Sequence, residues 1–290
     1  MIPGSAPSSV AVPAPATGPQ RWAGASCAAL DDDGGIVLAH RERADGDALV
    51  LSRTADGVAT EEVVRLRPQR AGAAMLERPA LVRTATGWRL FAGFATPGSL
   101  HWWIGASEAP TLAGLADAPW RPVVPGDALE GFKDPVVRRE GGRWRMWACR
   151  HPLDVPGAED RMSTVELVSA DGWTWTPVAT VLRGAPGGWD ARGARLTALL
   201  PDGRAAYDGR ASAAENWCER TGIAAPTGPA GSAGTAFRPA ARPVADCRYL
   251  DVLVLPGGAV RTWYEARTAD GAHELRTELH PGPLTPPRAR

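Results

Sequence analysis

The chain has 290 residues, enough for one large domain or two ordinary ones, and its 32 basic side chains are balanced by 32 acidic ones. A net charge of zero argues against a nucleic-acid binder or a protein held on an anionic membrane surface. No run approaches the ~18 apolar residues that span a bilayer.

Residues 1–20 are rich in Ala and Pro and lack both the basic start and the apolar centre of a secretory signal. They are expected to be disordered. Cys27, Cys149, Cys218 and Cys247 form no C-x-x-C pair, so neither a zinc site nor a disulfide framework is indicated. A cytoplasmic protein from a GC-rich bacterial genome, without cofactor or metal, is the expectation. Among the 32 basic residues there is one lysine, Lys133, placed in Gly131-Phe132-Lys133-Asp134-Pro135. A compact ammonium cannot replace a planar guanidinium in a crowded pocket, so a lone lysine in an arginine-rich chain marks a position of interest.

From Trp22 onward, short apolar runs alternate with polar residues and are punctuated by Asp-Gly, Gly-Gly and Pro-Gly, the pattern of many antiparallel strands. The strands repeat. Val37–Arg41, Trp147–Arg150, Tyr207–Arg210 and Trp263–Arg267 each close an apolar strand with an arginine, and Leu90–Phe94 fits the same frame. Before each comes an opening strand, as in Arg78–Val82, Asp134–Val137, Arg192–Leu196 and Tyr249–Leu253, joined by a tight turn such as Asp32–Gly35 or Pro256–Gly258. A period of about 56 residues predicts an all-β, five-bladed β-propeller over residues 21–281, with residues 282–290 a disordered tail. Ala225–Pro243 reads as a long loop between blades. A β-sandwich would share the strand spacing but not the recurring turn and arginine.

In a propeller the innermost strands meet at the axis, so residues at their starts gather at one mouth. Those positions hold Glu77 and Arg78, Lys133 and Asp134, Asp190 and Arg192, and Asp246 and Arg248. Such groups suit a polar funnel better than a core. The arginine column, including Arg150 and Arg210, lies on the adjoining strand, where most of it is expected to join blade to blade by ion pairs. His151 heads a long loop, and Glu215–Arg220 carries the only asparagine with Trp217 and Glu219. Trp217 either stacks on a sugar at the rim or packs within its blade, and most of the 12 tryptophans suit the core.

Phe132–Val136 followed by Arg143–Trp147 resembles the third blade of the five-bladed glycosidases, which include arabinanases, xylosidases, invertases and levansucrases. Trp189–Gly193 and Tyr207–Arg210, with Asp208, resemble fourth-blade sequences of the same superfamily. The resemblance implies a glycosidic bond cleaved at the axial funnel, with Asp134 beside the scissile sugar, Asp190 as partner acid or base, and Glu77 in reserve. Arg78, Lys133, Arg150, His151, Arg192, Asp208, Arg210, Trp217 and Glu219 are the expected substrate-binding set. Those enzymes carry an aspartate at the start of blade one, whereas Trp22–Ala28 has no carboxylate.

Lys133, Arg78 and Arg192 would also keep nearby carboxyls ionised, which opposes an acid role and favours an anionic sugar. The expected partner is therefore a carbohydrate, with two alternatives kept open. One is phosphorolysis, as in the mannoside phosphorylases, with inorganic phosphate held on the basic groups. The other is a carbohydrate-binding propeller without catalysis.

Overall fold

The structure, a computed structural model, describes residues 2–229 and 231–282. Antiparallel strands dominate. After β1 (Ser8–Val12), the first unit contains β2 (Trp22–Leu30), β3 (Ile36–Arg43), β4 (Asp47–Thr54) and β5 (Glu61–Leu66). The second contains β6 (Met75–Thr84), β7 (Gly87–Ala95), β8 (Trp102–Ala109) and β9 (Arg121–Val124). Next come β10 (Glu130–Glu140), β11 (Arg143–Pro152), β12 (Ser163–Ser169) and β13 (Thr176–Leu182). They are followed by β14 (Gly193–Leu199), β15 (Ala205–Arg210), β16 (Arg220–Pro226) and β17 (Phe237–Arg238). The last strands are β18 (Arg248–Val254), β19 (Val260–Arg267) and β20 (His273–His280).

Strands β6–β9, β10–β13 and β14–β17 form three separate four-stranded sheets. The remaining strands share one eight-stranded sheet. In it β18–β20 join β2–β5 through a single parallel bridge, Trp22 to His273, and β1 pairs with β20. Strands β2, β6, β10, β14 and β18 pack against one another in cyclic order and surround a central axis. Aliphatic and tryptophan side chains from neighbouring sheets fill the space between them, for example Phe91 and Met146 with Trp144, and Trp147 with Leu196 and Tyr207. Each such fully buried side chain contributes roughly 1.5–3 kcal/mol.

Two expectations meet a different outcome here. Residues 1–20 carry β1, which lies along β20 from Ser8↔Glu278 to Val12↔Leu275. Val12 and Ala11 are buried in the core there, and the Gly4 and Ala6 amides donate to the Glu278 carboxylate at 2.7 and 3.2 Å. The Ala225–Pro243 segment is partly a strand: Phe237 and Arg238 pair with Pro226 and Ala225. Between these two strands Gly231 and Gly234 reach the β10–β13 sheet, where Arg145 donates to the Gly231 carbonyl and the Gly234 amide donates to Glu166. The expected C-terminal tail lies, apart from Gly282, outside the described residues.

Two turns of the form Thr/Ser-x-Asp-Gly tie units together. At Thr54–Gly57 and Ser169–Gly172 a hydroxyl accepts the glycine amide, at 2.9 and 2.8 Å, while the aspartate accepts the two amides beyond the glycine. Both glycines have positive φ, 74° in each, and a Cβ would strike Arg261 at the first and Arg89 at the second. The Gly57 carbonyl accepts the Trp263 indole N–H, so the β2–β5 turn is pinned to the β18–β20 strands.

Each inner strand carries one extra residue relative to its neighbour. The register slips between Gly24 and Cys27, Leu76 and Pro79, Lys133 and Val136, Leu196 and Ala198, and Arg248 and Asp251. These are β-bulges, which bend a strand and re-aim its side chains. The first bulge residues are Ala25, Glu77, Asp134 and Tyr249, and three of these have left-handed backbones, with φ of 52° at Ala25, 52° at Asp134 and 54° at Tyr249. Aspartate tolerates this region, whereas tyrosine and alanine are held there by their surroundings.

Candidate active site

Strained residues repeated at one level of an axis point to a site. At that level Asp134 is wholly buried, and its Oδ2 accepts from Arg195 Nη1 at 2.9 Å. Among the described residues its other oxygen has no partner. Arg195 Nη2 donates to Asp208 Oδ2 at 2.7 Å, so one guanidinium holds a carboxylate on each of two nitrogens. Nη1 also reaches the Tyr249 hydroxyl at 2.8 Å, and the guanidinium lies over the Tyr249 ring, 3.9 Å from its centroid. The Tyr249 amide closes the cluster by donating to Asp208 at 3.0 Å. Burial pushes the Asp208 carboxyl up to about 6, against the opposing pull of Arg195.

A second chain of charges runs around the mouth. Arg41 bridges Glu77 and, at 3.1 Å, Glu265. Arg248 bridges Glu265 at 2.5 Å and Glu219 at 3.0 Å, and Arg210 reaches Glu219 at 2.8 Å. Gly24 leaves room for this relay, because a Cβ there would sit 2.2 Å from a Glu265 oxygen. Although burial raises both, the surrounding guanidinium groups bring Glu77 and Glu219 down to about 2. Arg41 and Arg248 also flank the Trp22 ring, each 4.9 Å from its centroid, and Trp217 lies against Trp22 at the surface. Trp217 is 45% exposed and itself has positive φ.

Lys133 stands next to Asp134 with its ammonium on the Trp102 face, 4.8 Å from the centroid. Among the described residues it joins no ion pair. Burial and the positive fields of Lys133 and Arg210 push His151 down to about 3, so its ring is neutral at physiological pH. Among the described residues neither of its nitrogens has a hydrogen-bond partner. Lys133, His151 and the second oxygen of Asp134 therefore bring together a charge and polar atoms that the fold itself leaves without partners.

The structure places the other expected residues elsewhere. Both oxygens of Asp190 are engaged in the loop before β14, accepting from the Ala185 amide at 2.9 Å and the Tyr207 hydroxyl at 2.8 Å. It shares no partner with Asp134. Arg192 is turned to Asp160 at 2.9 Å, and Arg150 stays within its own sheet on Glu130. Arg78 lies one residue deeper than Glu77, where it donates to the Ser26 carbonyl and faces the opposite end of the axis. Sequence reasoning missed Arg195, Tyr249 and Glu265. Arg195 stood within the opening strand already recognised, three residues beyond the arginine selected. Glu265 stood two residues before the Arg267 that matched the repeat.

Opposed pKa shifts give the cluster a pH signature. Glu77 and Glu219 are depressed below their ordinary 4.5, so the stability they contribute is present above pH 4.5 and lost as pH falls towards 2. Asp208 acts in the other direction, its contribution being present below 3.8 and lost as pH rises through about 6. Each buried glutamate amounts to something on the order of 3 kcal/mol. Urea midpoints are therefore expected to fall steeply between pH 4.5 and 2.5, and less steeply in Glu219→Gln. A flat profile over that window would contradict the assignment.

No family model matches the chain, and no curated protein matches it in sequence. Solved structures do match. A thermostable family-43 glycoside hydrolase superposes with a TM-score of 0.68 at 13% identity, over 96% of this chain and 98% of that one. The fold is that of the propeller glycosidases. A β-1,2-mannobiose phosphorylase from Listeria innocua matches with a TM-score of 0.64 at 9% identity, covering 89% of each chain. The GH32 β-fructofuranosidase of Bombyx mori gives 0.65 at 11% identity, over 96% of this chain and 63% of that one. The all-β propeller architecture thus spans hydrolases and phosphorylases alike, and the site itself must discriminate between chemistries. No helix among the described residues is long and apolar enough to cross a membrane.

Proposed function

We propose that this protein is a glycoside-cleaving enzyme on a five-bladed propeller, with blades β2–β5, β6–β9, β10–β13, β14–β17 and β18–β20 completed by β1. The observation that supports this reading is the pair of carboxyls on Arg195. Asp208, at about 6, holds a proton close to neutrality, while Asp134 keeps an oxygen free of partners beside Lys133. Glycoside cleavage uses two carboxyls of differing acidity set roughly 5–9.5 Å apart. In this reading Asp208 takes the proton-donor role expected of Asp190. Its O–H gives a proton to the glycosidic oxygen as the C–O bond breaks, and Asp134 stabilises the positive charge developing on the sugar. Both carboxyls are buried, so the reading requires the mouth to open over them when sugar binds. Trp217 at the rim offers an apolar face to that sugar, with Glu219 and Arg210 behind it.

Phosphorolysis is the second reading, favoured by Ala25. This residue occupies in β2 the bulge position that Asp134 occupies in β10, so the first blade supplies no base to activate water. Inorganic phosphate carries its own nucleophilic oxygen, and the unpaired Lys133 with Arg210 would hold its charge.

Release of sugar from a panel of aryl and natural glycosides, with and without inorganic phosphate, decides between them. The expected activity declines as pH rises through about 6, following deprotonation of Asp208. Formation of a sugar 1-phosphate establishes phosphorolysis, and phosphate-independent release establishes hydrolysis. If a broad panel yields no turnover but sugars still bind, the protein is a carbohydrate-binding propeller and the enzymatic reading fails.

A further inference from the structure

The axis has a second mouth. At the end opposite Asp134, a cavity of about 360 Å³ is walled by Ala28, Ala80, Val136, Ala198 and Val252, one residue from each of β2, β6, β10, β14 and β18. Arg78 lines it from within the β6 bulge and is itself 1% exposed. Among the described residues only Nη2 of its three guanidinium nitrogens has an acceptor, the Ser26 carbonyl at 3.2 Å, while Nε and Nη1 have none. Asp251 also lines the cavity and forms an ion pair with Arg78, its Oδ1 3.7 Å from Nη2 and so beyond hydrogen-bond range, while its Oδ2 accepts the Ala28 amide at 2.7 Å. Arg138 adds a second positive charge to the lining. An arginine buried with two nitrogens lacking acceptors is costly unless something in the cavity accepts from them, and apolar walls strengthen whatever does.

We propose that this cavity is a binding site for a small oxyanion, a carboxylate or phosphate, which draws the buried Arg78 guanidinium towards it. The site is separate from the Asp134 mouth and does not depend on the reading of that mouth as catalytic. Guanidinium groups bind either oxyanion through charge-assisted hydrogen bonds, and the cavity volume admits a group of a few heavy atoms.

Calorimetric titration of the full chain with inorganic phosphate and, separately, acetate, at constant ionic strength set with chloride, tests the proposal. The wild type is expected to bind acetate at one saturable site, and phosphate at that same site in addition to any held at the Asp134 mouth. Arg78→Gln should weaken that binding at least tenfold, and Arg78→Lys by less. Lys133→Gln should remove only phosphate held at the other mouth and leave the Arg78 site, read with acetate, unchanged. Val254→Glu, an exposed change on the cavity lining, should weaken binding two- to threefold without disturbing the fold, which keeps the test valid if Arg78 variants fail to fold. Phosphate binding alone identifies a phosphoryl ligand, and binding of both anions identifies a carboxylate-sized one. Undiminished binding in Arg78→Gln, loss confined to Lys133→Gln, or no saturable binding of either anion to the wild type overturns the proposal.

Discussion

Asp134→Asn is expected to lower kcat by about 10²- to 10⁴-fold, the usual range for a carboxylate acting directly on the reacting bond. Asparagine keeps the size of the side chain and an oxygen able to accept from Arg195 Nη1, so the ion-pair cluster retains its shape. Sugar affinity should accordingly change little, and the defect should lie in kcat with KM near the wild-type value. The measurement is steady-state release of the leaving group alongside direct sugar binding by calorimetry. Equal turnover in the variant and the wild type would remove Asp134 from the chemistry. Asp208→Asn should behave differently. It removes the proton donor, so activity on substrates with good leaving groups should survive better than on natural glycosides, and the decline near pH 6 should vanish.

The largest effect on stability is expected at Arg195. Replacing it by methionine leaves Asp134 and Asp208 buried without their shared counter-charge, and removing one partner of a buried ion pair typically costs about 3–5 kcal/mol. Arg195 serves two carboxylates and stacks on Tyr249, so the upper part of that range applies. Urea denaturation at pH 7 measures the loss. Lowering the pH to 5 should restore part of it, because the stranded carboxyls can then take up protons. A loss below about 1 kcal/mol would mean that water reaches the cluster and replaces the guanidinium.

The repeat of strands and turns was legible because it is local: each hairpin carries its own Asp-Gly or Gly-Gly signal and its own alternation. Asp134 was legible for a similar reason, as part of a short motif around the only lysine. What could not be read was the register. Every inner strand holds an extra residue, so a motif placed by counting from the strand end misses the level of the axis. Arg41 does stand opposite the Gly24 bulge, but Arg150 pairs one residue too early, with Phe132, and Arg267 pairs with His273 on the far strand. Nor do separations of 61 residues for Arg195–Asp134 and 224 for Arg41–Glu265 leave any mark in one sequence. Strand β1 was hidden differently. Ser8–Val12 is a short run among prolines and alanines, and becomes a strand only because the edge of β20 is there to receive it.

That pairing has a topological consequence. The chain's beginning and its last strand lie side by side, so the ring is closed by hydrogen bonds between residues some 270 positions apart rather than by a covalent link. Loop-closure entropy makes such a contact the slowest to form and places it late in folding. Once made, it tethers the β2–β5 unit to β18–β20 beside the Trp22–His273 bridge. Removing β1 is therefore expected to speed unfolding, although no residue of β1 belongs to the site that the ring holds in place.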